Sequence, residues 1–114
     1  MPTQYKGDTI EINLSETDET SGLPVSLDIY SNILIYLYVD TTVVAKYSRV
    51  EKTGYGPIDR ISSTQYQAKV LSTTTKRLPV GNITMEVLVV TDVAKSIFQG
   101  TLCELLPTQI YQEV

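Results

Sequence analysis

Apolar residues recur at every second position along much of this chain. The sets are Ile10, Ile12 and Leu14; Leu23, Val25, Leu27 and Ile29; Ile33, Ile35, Leu37 and Val39; and Ile83, Met85, Val87 and Val89. A repeat of two is the period of a strand with one buried face. The first set predicts a strand over 9–15, with Glu11 and Asn13 turned away from the core. The polar loop Glu16–Gly22 follows, and Leu23-Pro24 opens a second strand. Its proline suits an edge or a first position. Tyr30-Ser31-Asn32 reads as a turn. Residues 33–39 are apolar on both faces, with Leu34, Tyr36 and Tyr38 opposite the isoleucines. Such a strand is either covered twice or offers one face to a partner. Asp40-Thr41-Thr42 predicts a tight hairpin into an antiparallel strand over 43–47.

Residues 49–64 are the least regular stretch, with a loop signal at Gly54-Tyr55-Gly56-Pro57. Alternation resumes over 65–71, with Tyr66, Ala68 and Val70 inward. Ser72–Leu78 is rich in hydroxyls and predicts one helical turn near 73–78, capped by a hydroxyl and stopped by Pro79 and Gly81. A long central strand over 83–91 and a last one over 96–105 complete the series, with Gly100 placed at a bulge. Seven to eight short strands separated by turns predict an all-β sandwich of two antiparallel sheets. Residues 1–106 form one domain. Residues 107–114 form a C-terminal tail. Its Ile110, Tyr111 and Val114 are more apolar than a free terminus needs, so it reads as an assembly arm.

Composition removes most chemistry. The chain of 114 residues has no histidine or tryptophan and one cysteine. The commonest general base and metal ligand is therefore missing, and a single Cys103 cannot form an internal disulfide or a zinc site. Cys103 reads as a small buried hydrophobe. Lack of disulfides suits assembly inside a cell. Thirteen acidic against nine basic residues leave a net charge of -4, and the basic residues are scattered apart from Lys76-Arg77. Nucleic-acid binding needs a clustered positive field, so none is expected. No apolar run approaches membrane-spanning length, and the first eight residues lack the apolar core of a signal peptide. Glu16, Asp18 and Glu19 cluster in a loop. They read as solvated carboxylates, with calcium binding as the lesser alternative and acid–base catalysis as the least. Glu86 and Lys69 are assigned to cross-strand pairs. No catalytic residue, cofactor or metal site is expected.

Eight tyrosines remain, a residue type that buries area while keeping a polar tip and so favours interfaces. Tyr36 and Tyr38 share one strand face. Three groups of residues resemble a known pattern. Gly7-Asp8-Thr9-Ile10-Glu11-Ile12 is similar to an opening strand, and Gly22-Leu23-Pro24-Val25-Ser26-Leu27 to a loop-to-strand passage. Ser72–Val87, with Leu78-Pro79-Val80-Gly81 before Ile83-Thr84-Met85-Glu86-Val87, is similar to a helical turn and central strand. Together they resemble the small immunoglobulin-like domains of tailed-bacteriophage virions. In those domains the leucine plugs the open end of the sandwich and the glycine launches the strand. Ile83 or Met85 stands where that group often has a tyrosine.

The resemblance implies an immunoglobulin-like fold and a non-enzymatic role in a virion. That role is a decoration protein of the capsid binding other virion subunits, or a tail or baseplate adaptor. The partners would be major capsid or tail subunits, with self-association among the contacts, and the interface residues Tyr36, Tyr38, Ile110 and Tyr111. A carbohydrate-binding module is the rival, and an exposed row of Tyr36, Tyr38 and Tyr55 would favour it.

Overall fold

A computed structural model describes residues 3–106. Eight strands follow in chain order: β1 Thr3–Tyr5, β2 Ile10–Leu14, β3 Asn32–Val39, β4 Thr42–Ser48, β5 Gly56–Ser62, β6 Gln65–Val70, β7 Gly81–Val90 and β8 Ala94–Leu106. A 3-10 turn, Leu27–Ile29, precedes β3, and one short helix, α1 Ser72–Thr75, precedes β7. The chain is all-β, as its alternation predicts. Ile10, Ile12, Ile33, Ile35, Leu37, Tyr66, Ala68, Val70, Ile83, Met85, Val87 and Val89 all lie in the core. Burial of each large aliphatic side chain among them contributes about 1.5–3 kcal/mol.

The strands do not sort into two separate antiparallel sheets. They form one mixed sheet in the order β1-β8-β7-β3-β4-β5-β6-β2. β5 makes the join. It runs parallel to the end of β4 at Tyr47↔Gly56 and Ser48↔Pro57, then antiparallel to β6. The irregular stretch 49–64 therefore contains a strand that its sequence hides. Gly56 is needed at the join, because a Cβ there would stand 2.6 Å from the Tyr47 ring. A second parallel pair, β1 with β8, covers only Thr3–Tyr5 against Glu104–Leu106.

The sheet must roll. Its edge strands β1 and β2 are consecutive in the chain, with Lys6–Thr9 between them. A flat sheet would hold the two edges about 34 Å apart, at some 4.8 Å per strand spacing. The five chain steps from Tyr5 to Ile10 span at most about 18 Å. The two edges therefore approach each other, and the sheet is nearly barrel-shaped.

One end of the remaining seam is fastened. Lys6 N–H donates to the Leu106 carbonyl at 3.0 Å. Gly7, at φ +96, donates to the Thr75 hydroxyl at 2.9 Å, and that hydroxyl donates to the Asp8 carbonyl at 2.7 Å. Leu78 is buried below α1, and β7 starts at Gly81 as its sequence suggests.

Four local expectations need correction. Leu23–Ile29 is not a strand. Leu27 alone of its alternating set is buried, while Leu23 and Ile29 are exposed. The Leu27 and Tyr30 carbonyls accept from the Arg49 guanidinium, and the Ser26 hydroxyl accepts from Asp28 N–H. The segment's backbone groups bond singly to scattered partners instead of along one neighbour: Val25 N–H donates to the Glu16 carbonyl and Leu27 N–H to the Ser63 carbonyl. The helical turn lies at 72–75 rather than 73–78, and its N-cap is Leu71, with no side-chain cap. Gly100 is not a bulge: it sits in register opposite Met85, and the β7–β8 register shifts instead leave Leu102 and Ile97 as extra residues. A Cβ at Gly100 would lie 3.3 Å from the Phe98 ring, so packing explains that glycine. Lys69 lies opposite Glu11, whereas Glu86 lies between Tyr36 and Gln99.

Candidate functional site

Two surfaces stand out. The first is the outer face of the sheet at β3. Alternation that sends Ile33, Ile35 and Leu37 inward sends Leu34, Tyr36 and Tyr38 outward, where they are half-buried. The register places Tyr36 between Lys46 of β4 and Glu86 of β7. Tyr55 folds over this face from the β4–β5 loop. Its hydroxyl shares a 3.0 Å hydrogen bond with that of Tyr36, and the rings meet edge to face at 6.1 Å. The Lys46 and Lys52 ammonium groups each lie 4.8 Å from the centre of the Tyr55 ring, within range for cation–π attraction. The Tyr38 hydroxyl donates to Glu86 Oε1 at 3.4 Å.

This arrangement perturbs the phenols. The hydrogen bond to Tyr55, then burial, pushes Tyr36 up to about 12. Tyr55 shifts down, because the hydrogen bond from Tyr36 and the two lysines favour its ionised form. Burial and Glu86 raise Tyr38. The rings do not form the flat row that sugar stacking needs. Tyr36 and Tyr38 are tilted by 44°, and Tyr36 and Tyr55 by 75°. What the face presents is a compact aromatic patch with polar tips and charges of both signs around it. That is the composition of a protein contact centre.

The second surface is the unfastened part of the seam. Among the described residues, β8 from Ala94 to Cys103 pairs only with β7, and β2 pairs only with β6. Between the start of β8 and the loop that leaves β2 lies a cleft of about 860 Å³. Its floor is core side chains, including Leu14, Leu27, Ile33, Val87 and Val89, and its rim carries Asn13, Ser15, Thr17 and Lys95. Ile97 and Phe98 stand on the rim with 41% and 46% of their surface exposed. Phe98 lies opposite Val87 and so belongs to the inward parity of β8, but the sheet does not close over it. Sequence reasoning takes 96–105 as the last main strand. The signal available was that Ile97 and Phe98 are adjacent apolar residues, which alternation cannot both bury.

The acidic loop turns out to be structural in part. Both Glu16 carboxylate oxygens accept from the Tyr30 hydroxyl. Asp18 accepts from the backbone N–H of Thr20 and Ser21, which lowers its pKa. Among the described residues no group of three potential ligands is placed to hold a metal ion. Cys103 is buried opposite Ile83, and burial pushes its thiol up, away from the reactive thiolate. No helix among the described residues is long and apolar enough to cross a membrane. Ile110 and Tyr111 lie outside the described residues. The structure thus brings Tyr36 and Tyr38 together and adds Tyr55, Lys46 and Lys52.

No protein-family model matches the sequence, and no curated protein aligns with it significantly.

Proposed function

We propose that this chain is an immunoglobulin-like, non-enzymatic structural subunit of a tailed-bacteriophage virion. Its role is decoration of the capsid through contact with other virion subunits; placement in the tail or baseplate is the alternative. The observation that carries a contact role is the Tyr36–Tyr38–Tyr55 patch. Tyrosines packed on each other lose little side-chain freedom on binding, and their hydroxyls can exchange partners with an incoming surface. Lys46, Lys52 and Glu86 set the polarity of the surface that fits. The virion setting rests on the resemblance of Gly7–Ile12 and Ser72–Val87, which fall on β2 and on α1 with β7. The third group, Gly22–Leu27, falls on a loop and the 3-10 turn and lends no support.

The test is density-gradient sedimentation of phage particles produced together with this chain. The expected result is co-sedimentation with DNA-filled particles in many copies per particle. Tyr38→Ala and Lys46→Glu should each lower occupancy about tenfold or more at unchanged melting temperature, since anchoring tyrosines commonly carry 2 kcal/mol or more. Chain found only at the top of the gradient overturns the reading.

A further inference from the structure

Lys46 and Lys52 converge on one ring. Lys46 reaches Tyr55 from β4, where the register sets it beside Tyr36, and Lys52 reaches it from the loop before β5. Each ammonium lies 4.8 Å from the centre of the Tyr55 ring, so the two charges stand no more than twice that distance apart. Among the described residues neither lysine has an ion-pair partner; the ion pair there is Arg60 with Asp28. Glu86 sits two strands from Lys46, with Tyr36 between them, and accepts from Tyr38. On a chain of net charge -4, two cations are thus held at the surface by an aromatic ring rather than by an acid.

Tyr55 adds a third donor. In its hydrogen bond with Tyr36, Tyr36 is the partner that keeps its proton, pushed up to about 12. Tyr55 shifts down, as the accepting phenol does. Tyr36 therefore donates, and the proton of Tyr55 is left for an outside acceptor. Beside this group Tyr38 and Val43 lie opposite each other on the same face, and Val43 is 42% exposed.

We propose that Lys46, Lys52 and Tyr55 bind a carboxylate, the side chain of an aspartate or glutamate on a different protein subunit, while Tyr38 and Val43 cover an apolar residue beside it. This rests on the reading of the face as a contact surface and names the chemistry of the partner. Charge and number select the anion. A nucleic acid or an anionic membrane presents many phosphates and needs a wide positive field, whereas here two lysines share the face with Glu86. A single carboxylate fits between two ammonium groups, and its lone pairs take the three donors in charge-assisted bonds. The apolar shelf favours an acid carried on a protein over a small free acid.

The experiment is an NMR titration of the nitrogen-15-labelled 114-residue chain. The probes are the peptide acetyl-Ala-Leu-Glu-Leu-Ala-amide and its glutamine counterpart. The glutamate peptide should bind about fivefold more tightly at low salt, with shifts centred on Lys46, Lys52 and Tyr55. The preference should shrink as salt is raised. Lys46→Gln with Lys52→Gln should erase it, and Lys46→Arg with Lys52→Arg should keep it, both at an unchanged circular dichroism spectrum. Equal binding of the two peptides, or no shift with either at tens of millimolar peptide, overturns the proposal. A preference that survives loss of both lysines, or shifts centred elsewhere, overturns it too. Inorganic phosphate bound more tightly than the glutamate peptide would give the site to a phosphate group instead. Self-association that the double glutamine variant loses would give it to a second copy. The titration uses no particles, so the two proposals fall separately. A chain that prefers the glutamate peptide but never sediments with particles loses the virion reading alone. One that sediments with particles and shows no preference loses the carboxylate site alone.

Discussion

Asp28 shows how much of this surface is held by single polar residues. Its carboxylate accepts from Arg60 Nε at 3.0 Å and Nη2 at 2.9 Å, and from the hydroxyl of the buried Tyr66. The Arg60 hydrogen bonds, then that of Tyr66, lower its pKa from 3.8 to about 2. The ion pair is exposed on both sides, so its strength is limited by solvent. Its pH signature is still defined. A carboxylate depressed by folding contributes stability that is complete above its unfolded value of 3.8 and is lost as pH falls through about 2. The urea midpoint of the parent should therefore fall more steeply across this acid window than that of Asp28→Asn, the two curves converging at the acid end. Curves of equal slope would show that Asp28 makes no such contact. Sequence patterning had no access to this residue, because Asp28 meets Arg60 and Tyr66 only across 32 and 38 positions of chain.

Among the elements, α1 has an effect out of proportion to its four residues. Thr75 is fully buried, and its hydroxyl serves both sides of the β1–β2 connection, accepting from Gly7 and donating to Asp8. That connection crosses the seam, so α1 pins the rolled sheet at its closed end. Thr75→Val keeps the shape and removes the hydroxyl, leaving the half-buried Gly7 N–H and the Asp8 carbonyl without this partner. A loss of about 1–3 kcal/mol is expected in urea unfolding, and an unchanged midpoint would exclude the pinning role. The element was legible before its role was. Hydroxyls and Pro79 mark a helical turn in the sequence. That the Thr75 hydroxyl also fastens another loop depends on a contact 68 residues away. The opposite error occurred at Leu23–Ile29. There a clean alternation predicts a strand, but its backbone groups bond one by one to Glu16, Asp18, Ser63 and Arg49 instead of to a single neighbour. Period two is a necessary pattern for a half-buried strand, but the ladder also needs a free neighbour.

Across the whole molecule, stability should be graded around the roll. β7 pairs along its length with both β3 and β8, and its inward side chains are buried. β8 from Ala94 to Gln99 is exposed at every position and, among the described residues, pairs only with β7. Amide hydrogen exchange should therefore be slowest in β3 and β7 and fastest among the strands in the first half of β8. Uniform protection across β8 in a monomer would contradict the open seam.

The alternation of Ile, Val and Leu determined by itself that this chain is all-β. It also determined which residues of β2, β3, β6 and β7 share the buried parity and that Tyr36 and Tyr38 share the opposite face of β3. Those facts follow from the pleat, a local property of two residues of chain. The patch completed by Tyr55, the hidden strand β5, the single mixed sheet and the open seam were decided by tertiary structure alone. Each depends on which distant segment occupies a strand edge. Backbone hydrogen bonds are the same for every residue, so the sequence does not mark the edge that stays free.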